Sequence, residues 1–164
     1  MALILKEGEQ GTEVLLIRRA QRRGDPWSGH VALPGGRAEE VDADSVATAR
    51  RETLEEIGLD LQGSRMLGRL APQWTKSPRR WAPFAIVPVA FALEEKEVPT
   101  LRFSEEVTRA FWLPLAEVQG GRLDGRHAWK LGPLPLHLPC WNHDGEVVWG
   151  MTHRILTSLL ARLR

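Results

Sequence analysis

Several features that identify other classes of protein are scarce or missing in this chain of 164 residues. It has one cysteine, Cys140, so no disulfide can form within the chain, which is typical of proteins from a reducing compartment. No stretch approaches the roughly 20 apolar residues that a membrane-spanning helix needs. Residues 1–10 contain an apolar run of only four residues and no basic segment, so we expect no signal peptide and a cytoplasmic location.

Charge and motifs exclude further classes. The formal net charge is +1, so no overall field draws the chain to nucleic acid or to a membrane surface, and we expect neither as a partner. There is no G-x-x-x-x-G-K-[ST] loop of P-loop nucleotidases and no G-x-S-x-G turn of serine hydrolases. The five histidines lack the spacing to Cys140 that a zinc site needs. Tyrosine is absent, whereas Trp27, Trp74 and Trp81 lie in predicted loops, where they could stack on a base or simply pack.

The apolar pattern predicts one domain, residues 1–164, of the α/β class. Two extended runs flank a glycine-containing turn and predict a hairpin, and further patterns predict strands, a short helix and a final amphipathic helix. The hairpin covers 2–6 and 14–19, the other strands 30–33, 66–70, 84–93 and 109–113, and the helices 115–118 and 151–163, whereas 119–146 look irregular. Because helices are too few to cross over between every pair of strands, we expect an α/β sandwich rather than a doubly wound parallel sheet.

Carboxylates on one further predicted helix are the strongest chemical signal. This helix is expected to begin at Asp44 or Ser45 and to end at Gly58. Its apolar stripe is Val46, Ala49, Thr53, Leu54 and Ile57, and its glutamates at i, i+3 and i+4 are Glu52, Glu55 and Glu56. This spacing brings the three carboxylates to one face, where they repel one another unless a cation lies among them. A hard divalent metal is the expected cation, although a solvated face with ion pairs would give the same spacing.

Residues beside these glutamates fit the same chemistry. Gly35 and Gly36 lack a Cβ atom, so the backbone there can turn tightly and approach a ligand closely. Arg51 can pair with a carboxylate and fix its rotamer. With a divalent metal, such a site could bind a pyrophosphate and lower the pKa of an attacking water. The residues therefore allow metal-assisted phosphoryl chemistry without singling it out.

The stretch RETLEEIGL, residues 51–59, resembles the core of the Nudix box, G-x5-E-x7-R-E-U-x-E-E-x-G-U, in which U is a bulky apolar residue. The matching residues are Arg51, Glu52, Glu55, Glu56, Gly58 and Leu59. Thr53 stands where an aliphatic residue is usual. Asp42 falls at the place of the first glutamate, with eight residues rather than seven before Arg51, and Glu40 could substitute for it as a metal ligand.

The resemblance implies a Nudix-like α/β/α sandwich with a mixed sheet, a loop–helix–loop box, and hydrolysis of a nucleoside diphosphate linked to another group. It implies that Mg²⁺ or Mn²⁺ is held by Glu52, Glu55, Glu56 and the carbonyl group of Gly36. It further implies that Glu52 is a ligand or a base, and that Arg51 is an orienting partner. Because Nudix proteins are often dimers, a homodimer is also an expectation.

Segments before and after the box resemble those of coenzyme A diphosphatases. Residues 29–36 are similar to the end of L-L-T-x-[TR]-[SA]-x3-R-x3-G-x3-F-P-G-G, and residues 148–156 resemble W-G-x-T-x-x-I-L. The departures include Ile17 for Thr, Leu33 for Phe, and no arginine at the expected position. Arg22 or Arg23 could take its place and bind the 3′-phosphate of coenzyme A, or be solvated loop charges.

The resemblance therefore implies hydrolysis of coenzyme A or acyl-coenzyme A to 3′,5′-ADP and 4′-phosphopantetheine or its acyl form. The alternatives are another substrate, namely ADP-ribose, a nucleotide sugar, a dinucleoside polyphosphate or an oxidised nucleotide, and a non-catalytic nucleotide-binding module. His30 is close enough in sequence to the glycines to line the site, although a structural histidine is the other interpretation. Glu105 or Glu106 could supply a further base, or form a surface pair.

Overall fold

The computed structural model describes residues 1–25, 27–75, 83–94, 100–131 and 134–162, so the predictions for Trp81 and Leu163 lie outside the described residues. The last helix ends at Leu160, earlier than predicted. The strands and helices are β1 (Ala2–Gly8), β2 (Gly11–Arg19), β3 (Val31–Ala32), α1 (Ser45–Ile57), β4 (Arg65–Arg69), β5 (Gln73–Thr75), β6 (Phe84–Ile86), β7 (Val89–Ala92), β8 (Val107–Pro114), α2 (Leu115–Gln119), β9 (Asp124–Leu131), β10 (Leu134–His143), β11 (Glu146–Trp149) and α3 (Gly150–Leu160).

The largest sheet is mixed, and β2 is its most connected strand. β2 pairs antiparallel with β1, β3 and β8, which confirms the predicted hairpin between β1 and β2. β1 runs parallel to β7, and β7 pairs antiparallel with β4. The short strand β3 pairs with β2 at the end of the strand order, and two residues separate it from the glycines at 35 and 36.

Alternate residues of β1 and β2 face two different apolar clusters, because successive side chains of a strand point to opposite faces. One cluster joins Leu3 and Leu16 to α3 through Ile155 and Leu156. The other joins the remaining face, including Ile4 and Leu15, to α1 through Ala49 and Ile57. Helices therefore cover both faces of the sheet, and the predicted α/β sandwich with a mixed sheet is confirmed.

Helix α1 has the predicted ends. The Asp44 side chain accepts hydrogen bonds from the backbone N–H groups of Val46 and Ala47, each at 2.9 Å, as an N-cap does. Gly58 follows the helix with φ 70°, the left-handed conformation that glycine adopts without a Cβ clash. The predicted apolar stripe is wrong at Leu54, which is 50% exposed, because it lies outside the arc that contacts the sheet.

Two strand predictions are also wrong. The run 84–93 is divided into β6 and β7, with Pro88 between them. Residues 119–146 are largely β9, β10 and β11 rather than irregular chain. Strand β10 contains Pro139, which lacks a backbone N–H. Pro139 pairs only with β9, because β11 pairs with β10 only from Cys140 to His143, so no neighbouring strand on the other side needs that N–H. Among the described residues, no helix is both long and apolar enough to cross a membrane.

Candidate active site

Glu56 lies buried against the glycine turn that follows β3. Its side chain is among the few buried charged groups, and its Oε2 accepts a hydrogen bond from the backbone N–H of Gly35 at 2.8 Å. Burial raises the pKa of Glu56 to about 7, while the Gly35 N–H acts in the opposite direction and the nearby charge of Glu52 raises the pKa further. Negative charge at this position is therefore under-compensated, and an added cation would stabilise it.

The two glycines of the turn are held close to other groups. Gly35 has φ 137°, and a Cβ atom there would lie 2.5 Å from the Cα of Met1. A Cβ atom on Gly36 would lie 2.5 Å from both carboxylate oxygens of Glu52. The glycine turn therefore lies directly against the side chain of Glu52. Burial also raises the pKa of Glu52, which the adjacent Arg51 lowers in part.

Arg51 is the cation at the centre of the acidic groups. Its Nη2 donates to Glu52 Oε1 at 3.0 Å and to the carbonyl oxygen of Arg37 at 2.9 Å, and its Nη1 donates to Glu55 Oε2 at 3.0 Å. It also forms two hydrogen bonds with Asp42. These contacts, with the Asp42 hydrogen bonds foremost, raise the pKa of Arg51. The guanidinium thus ties the loop before α1 to the acidic face of the helix.

Asp42, in the loop before α1, has Arg51 as its side-chain partner. Hydrogen bonds from Arg51, followed by the backbone N–H of Glu39, lower the pKa of Asp42 to about 2. The sequence marked Asp42 as a candidate metal ligand with Glu40 as its substitute, but it gave no sign of the pairing with Arg51. Glu40 itself is exposed.

Glu106 brings a further negative charge near the site. Its charge adds to the larger effect of burial in raising the pKa of Glu52 and Glu56. Glu106 Oε1 accepts from Arg22 Nη1 at 3.0 Å, and both side chains are about half exposed. Arg22 is thus drawn towards the acidic residues, whereas Arg23 is exposed and forms no ion pair with the described residues. Glu105 is exposed.

His30 lies in an aromatic cluster rather than among the carboxylates. Its ring contacts those of Trp27, Trp129 and Trp149, with centroids 5.8, 5.7 and 4.9 Å away. Burial, followed by the charge of His127, lowers its pKa, so the ring is neutral at neutral pH. Trp129 could not be assigned from sequence because its segment was predicted to be irregular.

Arg19, the last residue of β2, was not among the site residues predicted from the sequence. Its Nη2 donates to Asp25 Oδ2 at 2.8 Å, and its buried Nε has no hydrogen-bond partner among the residues that the structure describes. Its charge lowers the pKa of Glu56, against the larger effect of burial. The sequence offered one signal for Arg19. It is a cationic residue at the end of a predicted strand, and the loop before the glycines follows it.

The donor set fits a hard divalent cation in its chemistry, since Glu52, Glu55 and Glu56 offer carboxylate oxygens and Gly36 a carbonyl oxygen. Across the described part of the chain, no group of three or more His, Cys, Asp or Glu side chains is already gathered around a metal position. Arg51 instead lies among these side chains and holds one carboxylate oxygen of Glu52, Oε1, and one of Glu55, Oε2. The second oxygen of each carboxylate forms no hydrogen bond with Arg51, so a cation could be bound while Arg51 keeps the two side chains in place.

Comparisons with known proteins match this box and this fold. The family model described as the NUDIX domain matches residues 1–134. The mitochondrial coenzyme A diphosphatase NUDT8 of Homo sapiens is 34% identical over 152 residues, which are 92% of this chain and 62% of that protein. An uncharacterized protein of Schizosaccharomyces pombe is 41% identical over 109 residues, 64% of this chain but only 32% of that protein. Among solved structures, the Nudix hydrolase RenU of M. smegmatis is similar in fold, with a TM-score of 0.62 and 18% identity, covering 99% of this chain and 84% of that chain.

Proposed function

The chain belongs to the Nudix family of pyrophosphohydrolases, and from this premise we propose that its substrate is coenzyme A or acyl-coenzyme A. The observation that carries the proposal is the 34% identity with the human coenzyme A diphosphatase over 92% of this chain. The segments at 29–36 and 148–156 support it, because they resemble the coenzyme A diphosphatase patterns on both sides of the box. This chain spans only 62% of that relative, so the substrate is a proposal.

In the proposed reaction, water attacks one phosphorus of the diphosphate and the bond from that phosphorus to the bridging oxygen breaks. The products are 3′,5′-ADP and 4′-phosphopantetheine, or its acyl form. Mg²⁺ or Mn²⁺, when bound, would neutralise charge on the phosphates and lower the pKa of the attacking water. We assign the role of holding the cation to Glu52, Glu55, Glu56 and the carbonyl oxygen of Gly36.

Arg51 has a separate proposed role. Its contacts with Glu52 and Glu55 support an orienting function, because a planar guanidinium holds carboxylates in a defined direction. Glu52 is both a ligand candidate and the candidate base that orients water. Its carboxylate lies against Gly36, so both functions would be exercised beside the glycine turn.

The substrate is tested by measuring hydrolysis of coenzyme A, ADP-ribose and 8-oxo-dGTP side by side with saturating Mg²⁺. The proposal expects the highest kcat/KM with coenzyme A or an acyl-coenzyme A. A higher value for ADP-ribose or 8-oxo-dGTP would replace coenzyme A as the substrate and leave the Nudix chemistry intact. Binding of all three without release of products would support the non-catalytic module instead.

The 3′-phosphate of coenzyme A gives a sharper test of Arg23. Arg22 is paired with Glu106, whereas Arg23 is exposed and lacks an ion pair with the described residues, so we favour Arg23 as the partner of that phosphate. Arg23→Ala should raise KM for coenzyme A and leave KM for dephospho-coenzyme A unchanged. Arg37→Ala, which removes another exposed arginine side chain, is the control. An equal effect of Arg23→Ala on both substrates would remove the assignment.

Three further properties belong to this proposal. We propose that residues 1–164 act as one domain, which is supported by an apolar cluster that joins β1 to α3. A cytoplasmic location is supported by the single cysteine, although the human relative carries the word mitochondrial in its name. The proposal of a homodimer is based only on the frequency of dimers among Nudix proteins. Light scattering of the purified chain tests it.

A further inference from the structure

We propose that the aromatic cluster formed by Trp27, His30, His127, Trp129 and Trp149 binds the adenine base of the substrate, and that the base stacks on Trp27. The inference deepens the proposed function and rests on it to the extent that coenzyme A carries adenine. It applies equally to any adenine nucleotide that the site accepts. Nothing in the box itself selects a base, so another part of the chain must do so.

The aromatic rings of the cluster pack against one another. The rings of Trp27 and Trp129 are nearly parallel, with an interplanar angle of 6° and centroids 6.2 Å apart. Trp149 packs against Trp129, since it is buried and its ring lies 4.7 Å from that of Trp129. His30 meets the tryptophans edge-on. The rings hold one another in place, which reduces the conformational entropy that a bound base would cost.

Trp27 is the accessible member of the cluster. It is 43% exposed, while Trp149 is buried and the other rings are partly buried. The exposed part of an indole ring is a stacking surface for a base, and such stacking strengthens binding whichever base is present. The neutral ring of His30 beside Trp27 adds a polar edge without a positive charge. This chemistry suits an uncharged purine better than a phosphate.

Hydrogen bonds connect the cluster with Arg19, whose charge acts on Glu56. Asp25 accepts hydrogen bonds both from Arg19 Nη2 at 2.8 Å and from the backbone N–H of Trp27 at 3.0 Å. The backbone N–H of Arg19 donates to the carbonyl oxygen of His30 at 3.0 Å. The charge of Arg19 lowers the pKa of both Glu56 and His30, so its guanidinium is close enough to act on a carboxylate of the box and on a ring of the cluster.

Arg19 also has capacity for a ligand. Its buried Nε has no hydrogen-bond partner among the described residues, and a buried unpaired N–H is costly. The Arg19 side chain is 31% exposed, so a phosphate oxygen of a nucleotide whose base stacks on Trp27 would accept from the exposed part of the guanidinium. Carboxylates that hold a cation on the diphosphate, Arg19 at the phosphate next to the ribose and Trp27 at the base would follow the order of these groups along a nucleotide, whereas a pantetheine arm carries no flat ring to stack.

The test uses two variants of similar apolar bulk. Trp27→Phe keeps an aromatic face, and Trp27→Leu removes it while retaining apolar contact with Trp129. Trp74→Leu is the matched control, because Trp74 is also exposed, at 64%, and is not one of the clustered rings. Binding of AMP and of ribose 5-phosphate, which lacks the base, is measured by calorimetry on each full-length variant, with folding checked by circular dichroism.

We expect Trp27→Leu to weaken AMP binding roughly tenfold or more, as loss of one stacked base predicts, and Trp27→Phe and Trp74→Leu to change it little. Ribose 5-phosphate should bind all variants equally. In turnover assays Trp27→Leu should raise KM and leave kcat unchanged. Unaltered AMP binding in Trp27→Leu, or an equal loss for ribose 5-phosphate, would overturn the inference.

The same experiments separate this inference from the choice of coenzyme A. If coenzyme A is not hydrolysed but AMP binding depends on Trp27, the base site stands and the proposed substrate fails. If coenzyme A is hydrolysed and Trp27→Leu leaves its KM unchanged, the proposed substrate stands and the base site fails. A third outcome concerns the acyl group. If Trp27→Leu raises KM for acyl-coenzyme A substrates, more so for longer acyl chains, while AMP binding is unaffected, the cluster binds the acyl group and the inference is overturned.

Discussion

Arg51 holds Asp42 through two nearly equal hydrogen bonds, from Nε to Oδ1 at 3.1 Å and from Nη2 to Oδ2 at 3.0 Å. This side-by-side geometry fixes the plane of the guanidinium. The same guanidinium contacts Glu52 and Glu55 on α1. Asp42 therefore acts on the acidic face of α1 through Arg51, although it precedes the helix.

Asp42→Asn should reduce turnover roughly 10- to 100-fold, the range found when a residue that orients metal ligands is lost. The reason is that Arg51 loses the partner that sets its orientation, so Glu52 and Glu55 are no longer held. The measurement is kcat/KM at saturating Mg²⁺. Glu40→Gln is the control and should behave as the unaltered chain. The opposite ranking would make Glu40 the first ligand of the box.

The Asp42–Arg51 pair also predicts a dependence of stability on pH. The pKa of Asp42 is lowered from 3.8 to about 2 in the folded chain, so the unfolded chain binds its proton more readily. Its stabilising contribution is therefore present above pH 3.8 and is lost as the pH falls towards 2. Urea unfolding of the unaltered chain and of Asp42→Asn should converge over this interval. A constant difference between them would contradict the pairing.

Glu56 predicts the opposite dependence in the absence of metal. Its pKa is raised from 4.5 to about 7, so the folded chain binds this proton more tightly than the unfolded chain. Stability associated with Glu56 is therefore complete below pH 4.5 and decreases as the pH rises through 7, by roughly 3 kcal/mol at about 1.4 kcal/mol per pKa unit.

Glu56→Gln removes this titration while its side-chain carbonyl can still accept from the N–H of Gly35. In EDTA above pH 7, this variant should therefore be more stable than the unaltered chain, although its turnover should fall by orders of magnitude. Urea unfolding at several pH values between 5 and 8 measures the effect. Parallel pH curves for the two proteins would contradict the assigned pKa of Glu56.

The two glycines should respond differently to alanine. Gly35→Ala strains a residue with φ 137° and brings its Cβ against the Met1 backbone, so we expect a loss of stability of about 1–3 kcal/mol or more. Gly36→Ala meets only the end of the Glu52 side chain, which can move. It should fold normally and lose turnover roughly 10- to 100-fold, because Glu52 is displaced. Thermal unfolding and kcat distinguish the two, and normal turnover of Gly36→Ala would show that Glu52 is not positioned there.

Local sequence signals predicted the box well. The ends of α1 depend on Asp44 and Gly58, whose preferences act within a few residues. The facing of Glu52, Glu55 and Glu56 follows from helical spacing alone. By contrast, the exposure of Leu54 depends on how wide an arc of the helix the sheet covers, which periodicity does not reveal.

Long-range pairing was beyond the sequence signals. Strand β10 contains Pro139, which a pattern-based interpretation excludes from strands, yet proline is accepted where a neighbouring strand ends. Missing β9 and β10 also hid the contact between Trp27 and Trp129, which are far apart in the chain. The pairing of Arg51 with a carboxylate was predicted, but its pairing with Asp42 was not, since the loop before α1 has no periodicity that shows where Asp42 points.

The central claim is that the carboxylates of α1 bind a divalent cation beside the glycine turn. Its most direct test is Mn²⁺ binding, followed by electron paramagnetic resonance of the free ion, with a non-hydrolysable diphosphate present. We predict that the unaltered chain and the control Glu9→Gln, which alters an exposed residue of the β1–β2 turn, bind Mn²⁺ equally. Glu55→Gln and Glu56→Gln should each weaken binding at least tenfold, whereas equal Mn²⁺ affinity in all four proteins would contradict the account.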